Sequence, residues 1–246
     1  MGKKILVIDL ENGTEEYMQR FEQCISGKNK SDILSGEQDK QVKKVLRKYK
    51  RLGGEIVVLR LPALTTNANT IKKHLVELRD NFGFCPEVLI TDYMGKMGCI
   101  SKKENLSDRI FEAYVEVSNL LLEFNIKVHW TANHVVRTAQ PRSTTCYKGE
   151  DIAGAIDIIR HVNAAFGLNR TNEEEENGIQ RLEIIENRDG KPHGRAVFHT
   201  DMDKQRFMEF SPKERKAFDE MFSNYSDPDE TPMDNKRNRN DKMGDL

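Results

Sequence analysis

The sequence predicts an α/β domain whose sheet is mainly parallel. Three observations predict it: short apolar runs flanked by charge recur along the chain, stretches of helical spacing separate them, and the joints between them are short. The 246 residues suffice for one sizeable domain and a tail. Charged residues make up 32% and hydrophobic residues 37%, a charge-rich globular composition. No apolar run approaches the roughly 20 residues of a membrane span, and Met1-Gly2-Lys3-Lys4 leads straight into a strand-like run rather than a signal peptide. The formal net charge of −1 makes no case for nucleic acid, so any such contact must come from local basic patches. Cys24, Cys85, Cys99 and Cys146 are scattered with no C-x-x-C pair, which argues against zinc and fits a reducing cytoplasm.

The elements follow in order. Lys4–Asp9 (KILVID) reads as a buried parallel strand, because an apolar run without alternation is what two covered faces require. Asn12-Gly13-Thr14 starts a helix, with Glu15 and Glu16 favoured near its positive end and Tyr17, Phe21 and Cys24 or Ile25 at helical spacing. A second helix spans about Glu37 to Leu52, its stripe made by Val42, Val45, Leu46 and Tyr49 and the rest covered by lysines and arginines. Glu55–Leu61 is the next strand, stopped by Pro62. Asn67–Thr70 opens a helix that runs to about Phe82, and Pro86–Asp92 is a strand. Asn105–Phe124 is a long helix carrying Ile110, Ala113, Val117, Leu120, Leu121 and Phe124 on one side, followed by a strand at Lys127–Ala132. After a polar segment, a short helix is expected at about 150–161. Three further strands follow at Ala164–Leu168, Arg181–Glu186 and Ala196–His199, the last two antiparallel around Asp189-Gly190. A last short helix is expected near 211–223. The folded domain should therefore occupy 1–223, and the polar stretch 224–246 should be a disordered tail.

Open parallel sheets bind ligands at the carboxyl ends of their strands. Glu11 follows the first strand, Asp92 ends the third, and Thr131, Asn133 and His134 end the fourth. An Asp after an apolar strand is what a magnesium–nucleotide site needs to hold the metal through its water shell. A Glu on a neighbouring strand end can polarise an attacking water as general base. Each residue alone has a plainer role, as a strand-end cap or a solvated turn residue; the pattern gains specificity only in combination.

In combination the chain resembles the C-terminal ATPase domain of DnaB-type replicative helicases, particularly those of large phages, from about Lys4 to Phe210. Asp9-Leu10-Glu11-Asn12 resembles the family's S-L-E-M segment, which implies Glu11 as catalytic base. Leu89-Ile90-Thr91-Asp92-Tyr93-Met94 resembles its Walker B strand, which implies Asp92 as the magnesium and nucleotide residue. Glu104-Asn105 matches its E-N-R segment, and Trp130–His134 stands where a strand ends in a sensor Gln, which implies His134 at the nucleotide. Glu186-Asn187-Arg188-Asp189-Gly190 resembles K-x-R-N-G and implies Arg188 as a finger reaching a neighbouring subunit's nucleotide. The resemblance implies a RecA-like α/β fold with antiparallel edge strands near the C-terminus, and ATP and Mg2+ as cofactors. It further implies a hexameric ring on single-stranded DNA, with a primase and a helicase loader as further partners, in a bacterial or phage-infected cytoplasm.

The sequence also departs from that family. A phosphate-binding loop requires G-x-x-x-x-G-K-[ST]. The Gly-Lys pairs Gly2-Lys3, Gly27-Lys28, Gly95-Lys96 and Gly190-Lys191 are not followed by Ser or Thr. In the family this loop precedes the segment resembling Lys4–Glu11, so the expectation is a split motor whose P-loop strand and helix come from a partner chain. Glu186 stands where the family often has Lys, and a carboxylate there would repel a γ-phosphate. For DNA, the acid-free stretch His134–Gly149 offers Arg137, Arg142 and Lys148, and a second basic loop offers Lys96, Lys102 and Lys103. Two other readings compete: a RecA/RadA-like recombinase piece, and a non-catalytic helicase paralogue that joins or caps a ring.

Overall fold

A computed structural model of the chain describes residues 2–35, 40–101, 103, 105–135, 158–159, 161–190, 194–214 and 216. The chain divides into a compact unit at Met1–Glu209 and a second unit at Phe210–Leu246. In the second, 212–214 and 216 are helical. The rest of the helix expected there, most of the one expected at 150–161, and the tail from 224 lie outside the described residues.

The first unit holds two four-stranded sheets. In the first, β1 (Lys4–Asp9), β2 (Glu55–Arg60), β3 (Val88–Asp92) and β4 (Val128–Thr131) pair in parallel in the order β2-β1-β3-β4. The register sets Ile5 beside Val88, Val7 beside Ile90 and Asp9 beside Asp92. Paired residues of neighbouring strands project to the same face, so the continuous apolar runs resolve into two apolar faces. Leu6, Ile8 and Leu89 face a core closed by α4 (Ala68–Phe82) and α5 (Leu106–Glu123), through Ile71, Leu75, Ile110, Ala113 and Val117. Ile5, Val7, Ile56, Val58 and Ile90 face α1 (Thr14–Ser26) and α3 (Lys40–Arg51), with an apolar cavity of about 310 Å³ left between them. The far edge of β4 has no strand partner among the described residues, and Val128 and Trp130 stand exposed on that end of the sheet.

The antiparallel strands expected near the C-terminus are present and form a sheet of their own: β5 (Ala164–Asn169), β6 (Ile179–Asn187), β7 (Arg195–Asp201) and β8 (Arg206–Glu209), in chain order. Trp130 of β4 stacks on Phe166 of β5 at 6.1 Å between ring centroids. Inside this sheet Arg181 is buried between Glu174 (2.9 Å) and Glu183 (3.5 Å). Glu174 belongs to α6 (Asn172–Glu176), which starts with a reciprocal capping box between Thr171 and Glu174. A further short helix, α2 (Lys30–Leu34), follows α1.

Local chemistry sets the helix ends. Asn67 and Thr70 form a capping box at the start of α4, and Asn105 accepts from the Ser107 amide at the start of α5. Helix α1 stops at Gly27, whose φ of 70° lies in the left-handed region that glycine adopts at least cost. A side chain at Gly27 would also collide with the Arg206 guanidinium, 2.6 Å from where its Cβ would stand. That guanidinium donates to the carbonyls of Cys24 (2.7 Å) and Ile25 (2.9 Å), satisfying acceptors that the end of α1 leaves open. Gln23, buried, donates to the Asp203 carbonyl at 2.7 Å. The C-terminal turn of α1 is thus fastened to the β7–β8 end of the second sheet.

Candidate functional site

The carboxyl ends of β1 and β3 bring together the two carboxylates singled out in the sequence. Asp92 is the last residue of β3, and Glu11 follows β1 by two positions. The side chain of Asp9 builds the turn between them. Its Oδ1 accepts from the backbone amides of Glu11 (3.0 Å) and Asn12 (2.8 Å). Asn12 then reaches across to Asp92 Oδ2 at 3.4 Å. Arg60, at the end of β2, wraps the outside of the same turn, donating to the carbonyls of Asp9 (3.2 Å) and Glu11 (3.3 Å). The Leu10 amide bonds the Asp92 carbonyl at 2.8 Å, which holds the two strand ends in step.

Acids and cations meet at this end: Asp9, Glu11 and Asp92 with Arg20, Arg60 and Lys96. Burial raises the Asp92 carboxyl above the ordinary range, the charges of Asp9 and Glu11 raise it further, and Arg20 of α1 opposes them. The Tyr17 phenol is raised by burial, then by Asp92 and Asp9, and the Tyr93 phenol by burial, then by Glu11 and Asp92. Lys96 is a nearby cation, 3.9 Å from Glu11 Oε1 and 6.0 Å from the centre of the Tyr93 ring. Asp9 is 0% exposed, and its Oδ2 has no hydrogen-bond partner among the described residues. Leaving a buried polar atom unsatisfied costs about 1–3 kcal/mol, and more when it is charged. Like charges on adjacent strand ends, one of them an orphan, describe a place that a cation would neutralise.

The donor set fits magnesium. Among the described residues no group of three or more His, Cys, Asp and Glu could hold a metal ion. Mg2+ takes one or two carboxylates and completes its shell with water and phosphate oxygens, so a full protein cage is not what it needs.

The other sequence candidates fall as follows. His134 is exposed and meets Tyr93, the residue after Asp92, edge-on at 4.6 Å between ring centres. Asn133 donates to the Tyr114 hydroxyl at 2.6 Å, and burial pushes the Tyr114 phenol up to about 12. Arg188 sits exposed where β6 leaves for the hairpin at Asp189-Gly190, with its amide bonded to the Asn163 carbonyl at 2.9 Å. It lies on the second sheet, whereas Glu11 and Asp92 end the first. Lys103 lies 3.8 Å from Glu112. Arg137, Arg142, Lys148 and Lys102 lie outside the described residues. From the sequence alone Lys96 belongs to a basic loop for DNA, and Asp9, Asn12 and Arg60 have no role. The Asp9-x-x-Asn12 spacing was the available signal, since an Asp two or three residues before free amides is a turn former; Arg60 ends β2 and Lys96 lies in the 3-10 turn after β3, and only the strand order brings them here. A separate polar cavity of about 470 Å³, bordered by Glu16, Gln23, Asn29 and Gln205, holds none of these carboxylates.

Comparison with solved structures shows the fold. A DnaB-like replicative helicase, whose structure is described together with its interactions with primase, superposes with a TM-score of 0.68 at 14% identity over 85% of this chain. A second solved structure, described as an ATPase domain, superposes with a TM-score of 0.68 at 15% identity, also over 85% of this chain. The chain spans 51% of the first protein's length and 75% of the second's. No family model and no curated protein matches the sequence. The chain has the RecA-like α/β fold of DnaB-like helicase ATPase domains.

Proposed function

We propose that this chain is part of a DnaB-like replicative helicase motor, which couples ATP hydrolysis to movement along single-stranded DNA and to duplex unwinding. The observation that carries the reading is the meeting of Glu11 and Asp92 at one end of adjacent parallel strands, close enough that Glu11 raises the Asp92 carboxyl. That is the end of an open α/β sheet where nucleotides bind.

Each group has a role on this reading. Asp92 holds the hydrated Mg2+, which when bound neutralises phosphate charge. Glu11, half-exposed on a turn braced by Asp9 and Arg60, orients the attacking water and takes its proton. His134, beside Tyr93, senses the nucleotide. Arg188, on its exposed hairpin, reaches the nucleotide of the next subunit in a hexameric ring, where such a group is worth about 10³–10⁵ in rate in related enzymes. The phosphates need a cradle of backbone amides, and no G-x-x-x-x-G-K-[ST] occurs within these residues. A P-loop-bearing polypeptide supplies it, and the open edge of β4 is a place where the parallel sheet can accept its strand. Arg137, Arg142, Lys148, Lys102 and Lys103 hold the phosphates of the single strand. Primase and a loader bind the assembled ring.

The test is ATP hydrolysis by the chain combined with a P-loop-bearing polypeptide, with and without single-stranded DNA. DNA-stimulated hydrolysis should appear only in the combination. Glu11→Gln should lower kcat by about 10²–10⁴, the usual worth of a general base. Hydrolysis indifferent to both Glu11→Gln and Asp92→Asn would refute the motor, and a stable complex without any hydrolysis would support a non-catalytic ring component.

A further inference from the structure

Asp9 has more capacity than its turn uses. One oxygen accepts the Glu11 and Asn12 amides, and the other meets no donor among the described residues, although Asp9 is 0% exposed. An Asn side chain offers the same single acceptor to the same two amides, so turn geometry explains Oδ1 and leaves Oδ2 unexplained. Arg60 does not resolve the matter. Its nearest guanidinium nitrogen is 4.0 Å from Oδ1, the oxygen already in use, and its hydrogen bonds go to the carbonyls of Asp9, Leu61 and Glu11.

The register says where the free oxygen's charge is felt. Asp9 and Asp92 are direct partners on adjacent parallel strands, so both side chains project to the face that α1 covers. The Asp9 charge acts on the Asp92 carboxyl and on the Tyr17 phenol of α1. Two carboxylates thus share one end of one sheet face, one of them buried with unused lone pairs. Oxygen ligands in pairs, with room left for water, are what a hard divalent cation takes.

We propose that Asp9 is the second carboxylate of the cation site, and that Asp9 and Asp92 together hold one hydrated divalent cation of the Mg2+ class before any nucleotide arrives. This rests on reading the β1–β3 end as the motor's cation site, and it adds a ligand and an order of binding to that reading. Nucleotide then meets a metal already seated, rather than bringing it in. The buried carboxylate at position 9 holds the cation on the β1 side, next to the turn that presents Glu11.

The experiment uses Mn2+ alone as probe, on the 246-residue chain without nucleotide. Free Mn2+ is read by electron paramagnetic resonance, and the melting temperature is read with and without the metal. The wild type should bind one Mn2+ and melt higher in its presence. Asp9→Asn keeps the acceptor for the turn and removes the charge. It should weaken Mn2+ binding by about tenfold or more, since even loss of a group that only orients a ligand costs about that much, and abolish the metal-induced rise in melting temperature. Asp92→Asn should do the same, while Glu123→Gln, an acid on the far end of α5, should bind as the wild type does. Far-UV circular dichroism of Asp9→Asn distinguishes a lost ligand from a lost fold, and Asp9→Glu, which retains the charge, should recover part of the affinity. Mn2+ binding by Asp9→Asn within twofold of wild type overturns the proposal, and so does a wild type that binds no Mn2+ at millimolar concentration. Neither result touches the motor reading, which stands or falls on hydrolysis by the assembled complex.

Discussion

On the proposed reading Asp92 serves two opposing demands. Burial and the charges of Asp9 and Glu11 disfavour its ionised form in the folded protein, yet a metal ligand must be ionised. Neutralising it relieves the repulsion, so Asp92→Asn should raise the melting temperature in metal-free buffer while removing metal-dependent hydrolysis. An unchanged or lower melting temperature would mean that the Asn12–Asp92 contact matters more than the repulsion. His129 shows the other side of burial. It lies on the core face of β4 against the Thr91 hydroxyl, and burial lowers it from 6.5 to about 4. The folded state therefore refuses a proton that the unfolded chain accepts as pH falls below 6.5. Stability should be fully present at neutral pH and drain away between about pH 6.5 and 4, by up to about 3 kcal/mol. Denaturant melts of His129→Gln should lack that part of the slope. At this scale the sequence named Glu11, Asp92 and His134 from their places after strands, since a strand end is legible in one dimension. It could not show Asp9 as half-used, because an orphan atom is a property of the folded surroundings.

At the level of elements, the long apolar runs and long helical stripes were legible, and the parallel strands and long helices lie where their periodicity puts them. What escaped is short or polar. Helix α2 has five residues and α6 is Asn-Glu-Glu-Glu-Glu, so neither holds an apolar stripe. Their caps, Asn29 and the Thr171–Glu174 box, were the only sequence signals. Strand β8 is four residues long and mostly exposed, so it shows no buried alternation. Its weight lies in Arg206, which closes the end of α1. Arg206→Ala removes two charged hydrogen bonds to helix carbonyls and should cost about 1–2 kcal/mol, measured by urea denaturation. Hydrogen exchange should rise first in the last turn of α1; loss confined to β8 would show that the clamp serves the strand and not the helix. Gly27→Ala meets both a left-handed backbone and the guanidinium, and should be at least as damaging.

For the whole molecule, the two sheets divide the proposed labour. The parallel sheet ends in the carboxylates, and the antiparallel sheet carries Arg188 on an exposed hairpin. If Arg188 serves a neighbour, Glu11→Gln and Arg188→Ala chains should each be inactive alone in the assembled motor, and mixing them should restore activity. Random mixing leaves roughly a quarter of the interfaces with both groups intact. No recovery on mixing would place Arg188 in its own subunit's chemistry or outside it. This division was legible only in part, because the sequence showed the hairpin but not that its strands build a separate sheet. Helix α1 spans the distance between these two parts. It starts three residues after Glu11 and is pinned by Gln23 and Arg206 to the β7–β8 corner, over 13 residues or about 20 Å. A stiff rod pinned at its far end, and joined through Gly13 to the Asp9–Asn12 turn at the other, transmits displacement along its axis. A tilt of the Asp9–Asn12 loop should therefore be felt at the corner that Arg206 grips, and in the proposed ring a pull on that corner by a neighbouring protomer should be felt at the proposed metal ligands.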